Sequence, residues 1–157
     1  MATEIERKYL VKDDSWKGRV VSEARIKQGY LVKQPEMNVR VRIAKGTAYL
    51  TIKGSTQGIS RSEFEYEIPV QDAEAILGLS EDLRVIDKTR YKVQCGEHIW
   101  DLDVFEGDNA GLIMAEVELE DEGETFEMPA WAGLEVSGDP RYYNANLIDN
   151  PFSNWGA

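Results

Sequence analysis

The segment Glu63-Phe64-Glu65-Tyr66-Glu67 places a carboxylate at every second position, with an aromatic residue between each pair. A second segment, Glu116-Val117-Glu118-Leu119-Glu120, has the same alternation with aliphatic residues. Alternate side chains of a β-strand point to the same face, roughly 7 Å apart. Each segment therefore predicts a strand with one acidic face and one apolar face.

Other segments carry charge with the same period. Glu4, Glu6 and Lys8 alternate near the N-terminus, and cations alternate in two further places: Arg40 with Arg42, and Lys88 with Arg90 and Lys92. A sheet built from these strands gathers carboxylates and cations on one face. Carboxylates bind hard divalent cations, whereas arginine and lysine bind phosphate oxygens. The pattern therefore predicts a site for a metal–polyphosphate complex.

A simpler explanation is an antiparallel sheet with one face in water, which also alternates polar and apolar residues. Three features of the set oppose it. Like charges are neighbours within single strands, threonine, serine and glutamine are scarce at these positions, and the pattern recurs on five predicted strands. Burying unpaired charges is costly, so such a face cannot form a dry core. It can line a water-filled tunnel.

The composition limits the classes of protein that fit. The chain has 157 residues, 42% of them hydrophobic, which we interpret as a single domain spanning residues 1–157. No apolar stretch approaches the about 20 residues of a membrane helix, and the N-terminus does not resemble a signal peptide. The single cysteine, Cys95, excludes an intrachain disulfide and fits a reducing compartment. These features predict a cytoplasmic protein.

The net charge is −11, so the exterior as a whole is expected to repel nucleic acid and anionic membranes. We therefore expect neither as a partner. A small, highly charged anion would instead be bound by the local cluster of cations. No sequence feature requires a particular oligomeric state.

The predicted secondary structure is mainly β, within the α+β class. Turn residues separate eight predicted strands: 4–11, 24–31, 38–44, 47–53, 61–68, 83–94, 98–105 and 112–120. Short hairpins are expected at Lys45-Gly46 and Cys95-Gly96-Glu97. Helices are expected at 71–79 and, after the start signal Asp139-Pro140, from 140 to Pro151, with a single turn at 13–17. The succession of hairpins predicts an eight-stranded antiparallel barrel, closed or nearly closed.

The chain resembles bacterial CYTH-domain proteins, which belong to the triphosphate tunnel metalloenzymes. Glu4-Ile5-Glu6-Arg7-Lys8 is the E-x-E-x-K signature of that family, and the remaining motifs follow in order: Gln28-Gly29-Tyr30-Leu31, Arg40/Arg42, Thr51-Ile52-Lys53-Gly54, Arg61 with Glu63/Glu65/Glu67, Lys88/Arg90, Asp101/Asp103 with Phe105, Ala115 to Glu120, and Ser137 to Tyr142. The signature alone is a weak signal, but the ordered series covers nearly the whole chain.

The resemblance implies a closed eight-stranded barrel, with a C-terminal helix plugging one end, that binds a linear triphosphate with Mg²⁺ or Mn²⁺. The small members of the family are similar to inorganic tripolyphosphatases, which release pyrophosphate and phosphate. Combined with the charge pattern, it gives a hypothesis for the site. The triphosphate contacts would come from Lys8, Arg40, Arg42, Lys53, Lys88 and Arg90, the metal ligands from Glu4, Glu6, Glu63, Glu65, Glu116 and Glu118, and the catalytic set would be Glu4, Glu6 and Lys8.

Other activities remain open at this point. An adenylyl cyclase would use the same tunnel, but it must also hold adenine and orient the ribose hydroxyl. A thiamine or nucleoside triphosphatase would need a contact for the organic group, for which four tryptophans are available. A non-catalytic sensor would bind a polyphosphate or a nucleotide without hydrolysing it.

Overall fold

The computed structural model describes residues 3–79 and 84–155. These residues form one antiparallel sheet of nine strands: β1 (Thr3–Val11), β2 (Val20–Gln34), β3 (Met37–Ala44), β4 (Thr47–Gly54), β5 (Ser60–Ile68), β6 (Val85–Cys95), β7 (His98–Phe105), β8 (Ile113–Glu118) and β9 (Ala132–Glu135). The predicted hairpins are confirmed. At their turns, Lys45, Gly46 and Gly96 adopt the positive φ angles that tight turns require.

Strand β1 closes the sheet into a barrel. One of its edges pairs with β8, and the N-terminal part of its other edge pairs with β5 through Thr3–Ser62, Glu4–Arg61 and Ile5–Ser60. The remaining strands connect β5 to β8 in the order β5-β4-β3-β2-β6-β7-β8. The predicted closed eight-stranded antiparallel barrel is therefore confirmed.

The ninth strand, β9, pairs with the C-terminal part of β1 beside β5. Its sequence, Ala132-Gly133-Leu134-Glu135, has no β-branched residue and no clear alternation, so it did not predict a strand. Strand β2 is also longer than predicted, because residues on both sides of 24–31 continue to pair with β3 and β6. The first residue of predicted strand 83–94 lies outside the described residues.

The apolar core lies on the outside of the barrel wall. Trp100, Leu102 and Val117 of β7 and β8 are fully buried there, with Trp16 from a 3-10 helix (Ser15–Arg19) and Trp131 packed over the same strands. Because side chains alternate across the wall, the intervening positions of these strands point into the barrel. The barrel interior is thus left to the charged residues.

Helices cover the wall and one end of the barrel. Helix α1 (Val70–Leu77), predicted at 71–79, packs on the outer faces of β3 and β4 around Val41 and Ala48. Helix α2 (Asn144–Asp149) places Leu147 and Ile148 against the apolar residues at the end of the barrel, including Phe105. The predicted plug is therefore present. None of the helices in the described ranges is long and apolar enough to cross a membrane.

The predicted continuous helix from 140 to Pro151 is wrong in one respect. The Asp139 carboxylate accepts a hydrogen bond from the backbone N–H of Arg141 at 3.0 Å, as the start signal predicts. However, a 3-10 helix (Pro140–Tyr142) ends at Tyr143, whose ψ of 132° is extended, and α2 begins only afterwards. The break allows Tyr143 and Asn144 to line the barrel interior.

Candidate active site

The barrel encloses a cavity of about 730 Å³. Every residue of the predicted site lines it: Glu4, Glu6, Lys8, Arg40, Arg42, Lys53, Glu63, Glu65, Lys88, Arg90, Glu116 and Glu118. The side chains alternate along six strands of the closed barrel, so residues separated by more than a hundred positions face the same cavity. The roles assigned to these residues remain predictions.

Glu4 lies at the centre of an ion-pair cluster where β1 meets β5. Its carboxylate contacts Lys53 Nζ at 3.2 Å and Arg61 Nε at 3.1 Å, and Lys53 also contacts Glu63 at 3.3 Å. Burial would raise the pKa of Glu4, but Lys53 and Arg61 outweigh it and lower the pKa to about 2. Arg61 belongs to one of the sequence motifs but has no predicted role in the site, and its pairing with Glu4 follows from their opposite positions in β1 and β5.

Glu6 and Glu116 form a second carboxyl cluster beside Lys8. Burial, together with the nearby charges of Glu116 and Glu4, raises the pKa of Glu6 well above its usual value. In Glu116 the effect of burial is outweighed by Lys8 and Arg90, which hold its pKa well below the usual range. Burial and Glu4 also raise the pKa of Glu63. Burial and neighbouring carboxylates therefore favour the neutral form of Glu6 and Glu63, whereas nearby cations favour the ionised form of Glu4 and Glu116.

Lys88, Arg90 and Asp103 form a buried triad in the wall. Arg90 binds the Asp103 carboxylate through two hydrogen bonds of 2.8 and 2.9 Å, and Lys88 Nζ contacts it at 2.8 Å. Burial lowers the pKa of Lys88 to about 7, partly opposed by Asp103. The two cations thus face the cavity already paired with a carboxylate that was not among the predicted site residues.

Arg40 and Arg42 differ from the other cations of the cavity. Within the described part of the chain, neither of them forms an ion pair with a carboxylate; Arg42 Nε donates instead to the neutral Gln28 Oε1 at 2.9 Å. Arg40 is buried, and its Nε has no hydrogen-bond partner in the same ranges. Burial and the charge of Arg40 lower the pKa of Arg42 to about 9. Uncompensated positive charge is therefore concentrated at these two arginines.

The plug contributes polar atoms that the sequence did not predict. Lys8 Nζ donates to the Tyr142 carbonyl at 3.3 Å, and Lys88 Nζ donates to Asn144 Oδ1 at 2.8 Å. Gln28 Nε2 also donates to Asn144 Oδ1, at 3.3 Å. Gln28 belongs to a sequence motif but has no predicted role in the site. Gln28 lies directly opposite Arg42 in the pairing of β2 with β3, and this position is the signal that could have identified it.

The six predicted metal ligands have the chemistry that Mg²⁺ or Mn²⁺ requires, since all are carboxylates. Beyond the effect of burial, the charges of Glu116 and Glu4 raise the pKa of Glu6, and the charge of Glu4 raises the pKa of Glu63, so a cation would relieve this repulsion. Across residues 3–79 and 84–155, however, no three potential ligands already converge as a metal site. Glu65, which accepts a hydrogen bond from Thr51 Oγ1 at 3.2 Å, and Glu118 are the most exposed of the set. The donors thus fit a hard divalent ion, although their geometry is not that of a loaded site.

Known proteins resemble this chain over nearly its full length. An inorganic triphosphatase of Acetivibrio thermocellus is 46% identical over 155 residues, covering 99% of both chains. An inorganic triphosphatase of Nitrosomonas europaea is 38% identical over 150 residues, covering 92% of this chain and 96% of that one. The crystal structure of an inorganic triphosphatase shares 33% identity and a TM-score of 0.67, covering 94% of this chain and 95% of that one. The CYTH domain family matches residues 2–143, and the chain therefore belongs to that family.

Proposed function

We propose that this chain is a divalent-metal-dependent triphosphatase that hydrolyses inorganic triphosphate to pyrophosphate and phosphate. The observation that carries the proposal is the charge distribution in the cavity. Arg40 is buried and Arg42 partly buried, both supply positive charge without carboxylate partners in the described residues, and a cluster of carboxylates lies in the same space. The relatives named inorganic triphosphatase support the choice of substrate.

The substrate contacts follow from this distribution. Arg40 and Arg42 have donors free for phosphate oxygens, and a guanidinium can bind two such oxygens at once. Lys8 and Lys53 are held by weaker contacts to carboxylates, at 3.6 and 3.2 Å, and can extend the phosphate-binding surface. Lys88 and Arg90 contribute less, because the Asp103 carboxylate occupies some of their donors and offsets part of their charge.

The metal ligands we propose are Glu4, Glu6, Glu63, Glu65, Glu116 and Glu118. A bound divalent ion would neutralise phosphate charge and lower the pKa of a water molecule for in-line attack on the terminal phosphorus. The carboxylates form the acidic side of the cavity, where the ion would bind. The arginines orient the triphosphate toward that side. Cleavage of one phosphoanhydride bond by water then gives phosphate and pyrophosphate, and a carboxylate of this set accepts the proton.

The test is phosphate release from inorganic triphosphate, ATP and thiamine triphosphate, with Mg²⁺ and with Mn²⁺. We expect a strong preference for inorganic triphosphate, loss of release in EDTA, and loss of metal-dependent release in Glu6→Gln. Gln71→Glu on the outer helix α1 is the control and should behave as wild type. A preference for ATP or thiamine triphosphate, or formation of cyclic AMP, would refute the choice of substrate. Full activity of Glu6→Gln would refute the site.

We also propose that residues 1–157 form a single domain, because β1 near the start and α2 near the end complete the same barrel. A cytoplasmic location is proposed from the single cysteine, Cys95, which is buried and unpaired with any second cysteine. The only partner this proposal requires is the small triphosphate itself. The net charge of −11 still argues against nucleic acid as a ligand.

A further inference from the structure

Gln28 occupies an unusual position in the barrel wall. It lies in β2, is 0% exposed, and makes hydrogen bonds with three different residues. Its Oε1 accepts from Arg42 Nε at 2.9 Å. Its Nε2 donates to the Tyr30 hydroxyl at 3.2 Å and to Asn144 Oδ1 at 3.3 Å. A fully buried amide with both ends engaged is held in one orientation.

The orientation of the Gln28 amide, oxygen toward one side and NH₂ toward the other, is determined by two cations, Lys88 and Arg42. Lys88 Nζ donates to Asn144 Oδ1 at 2.8 Å, and an ammonium group can only donate, so Asn144 presents its oxygen. Gln28 must then present its NH₂ group to Asn144 and its oxygen to Arg42. The guanidinium of Arg42 can also only donate, so both ends require the same orientation.

The neutrality of Gln28 distinguishes Arg42 from the paired cations of the cavity. Each of those contacts a carboxylate oxygen, at 3.2, 3.1, 2.8 and 2.8 Å for Lys53, Arg61, Lys88 and Arg90 respectively. An amide oxygen fixes the guanidinium as a carboxylate would, but it leaves the positive charge uncompensated. Arg42 therefore keeps its attraction for an anion, and burial strengthens that attraction.

We infer that Gln28 is a positioning residue for the triphosphate: it orients Arg42 through a neutral hydrogen bond and so preserves the charge that binds phosphate. The identity of the anion rests on the proposed function, whereas the geometry of Gln28 and Arg42 does not. The amide is specifically required, because a glutamate of the same size would keep the hydrogen bond and cancel the charge.

The test compares Gln28→Glu with Gln28→Met, using calorimetric binding of inorganic triphosphate in EDTA, where no turnover is expected. Gln28→Glu should weaken binding by about 10- to 100-fold, the range expected when Arg42 no longer offers triphosphate a charge-assisted hydrogen bond. Gln28→Met should weaken binding less. Gln71→Glu adds the same charge on exposed α1 and should bind like wild type.

A merely structural glutamine would give a different result. Gln28→Glu keeps the size and the acceptor for Arg42 but loses the Nε2 donor to Asn144 and Tyr30, so it would then change the melting temperature and still bind triphosphate as tightly as wild type. This outcome would overturn the inference. If Gln28→Met fails to fold, Gln28→Glu alone decides. When Gln28→Met folds, its effect on binding should disappear in an Arg42→Gln background, and an undiminished effect would show that Gln28 does not act through Arg42.

The failure of this inference can be told apart from failure of the proposed function. If wild-type protein binds triphosphate but does not hydrolyse it with Mg²⁺ or Mn²⁺, the proposed function fails, and the Gln28 comparison still decides the inference. If wild-type protein does not bind triphosphate at all, both are overturned.

Discussion

Replacing Asp103 with Asn should destabilise this protein far more than a single surface ion pair would. Asp103 is the carboxylate that joins Lys88 and Arg90, and the side chains of Lys88 and Asp103 are only 1% and 3% exposed. Asparagine has nearly the same size, so the change removes charge without leaving a cavity. Its single acceptor oxygen cannot replace the three contacts that Asp103 makes with the two cations.

The expected cost follows from the burial of this triad. Removing one member of a buried ion pair typically costs about 3–5 kcal/mol, because the remaining charge is left without compensation. In a domain of this size, each kcal/mol shifts the melting temperature by about 2–4 °C, so we expect a decrease of about 6–20 °C. The free energy of unfolding should fall by the same amount, about 3–5 kcal/mol.

Urea denaturation and thermal melting of metal-free protein measure both quantities. The matched control is Asp87→Asn on the neighbouring strand β6, since Asp87 binds Arg25 through two hydrogen bonds of 2.6 and 2.8 Å. That pair has the same geometry but is 62% and 39% exposed, so its loss should cost no more than about 1 kcal/mol. Equal losses in the two variants would refute the reasoning that burial makes the triad expensive to break.

Two further predictions concern the cavity. Arg40→Gln should weaken binding of inorganic triphosphate by about 10- to 100-fold, because it removes a charged donor, whereas Arg25→Gln on the outer wall should not; equal affinity of the two variants in calorimetry would contradict this. Glu6→Gln should raise the melting temperature in EDTA at pH 7. Because the pKa of Glu6 is raised in the folded state, the wild-type protein loses stability as the pH rises from the unfolded-state pKa to the folded-state pKa, and glutamine removes that loss. The gain should shrink toward the unfolded-state pKa of about 4.3, and a gain that is constant from pH 7 to pH 4.5 would exclude Glu6 as its source.

The strand alternation was predictable because it is a local property of the chain. Glu63 and Glu65, or Arg40 and Arg42, share a face whatever the rest of the fold does. The closed barrel followed from the number of such strands and the hairpins between them. The family resemblance then identified which alternating positions belong to one interior.

The pairing of charges inside the barrel was not predictable from that alternation. In the register of β6 and β7, Asp103 lies opposite Arg90, while Lys88 lies opposite Phe105. The contact from Lys88 to Asp103 is therefore diagonal, and it depends on the local geometry of the wall. Asn144 and Gln28 are separated by 116 positions, and only the folded chain brings them together.

Local signals also failed where tertiary contacts decide the backbone. The residues after Pro140 have a good helix start, but Tyr143 is extended, and the helix begins again at Asn144. The Tyr142 carbonyl and the Asn144 side chain on either side of this break contact Lys8 and Lys88. Helix propensity at this point yields to contacts with the barrel interior.

The seam between β1 and β5 consists of three residue pairs, and Glu4–Arg61 is one of them. Separating these strands would pull Glu4 away from Lys53 and Arg61, so the barrel cannot open there without dismantling the carboxylate cluster. A metal–triphosphate complex that contacts residues on both strands would hold this short seam together. Ligand binding should then shift the equilibrium away from local opening of the sheet. It should therefore slow amide hydrogen exchange first in β1 and β5.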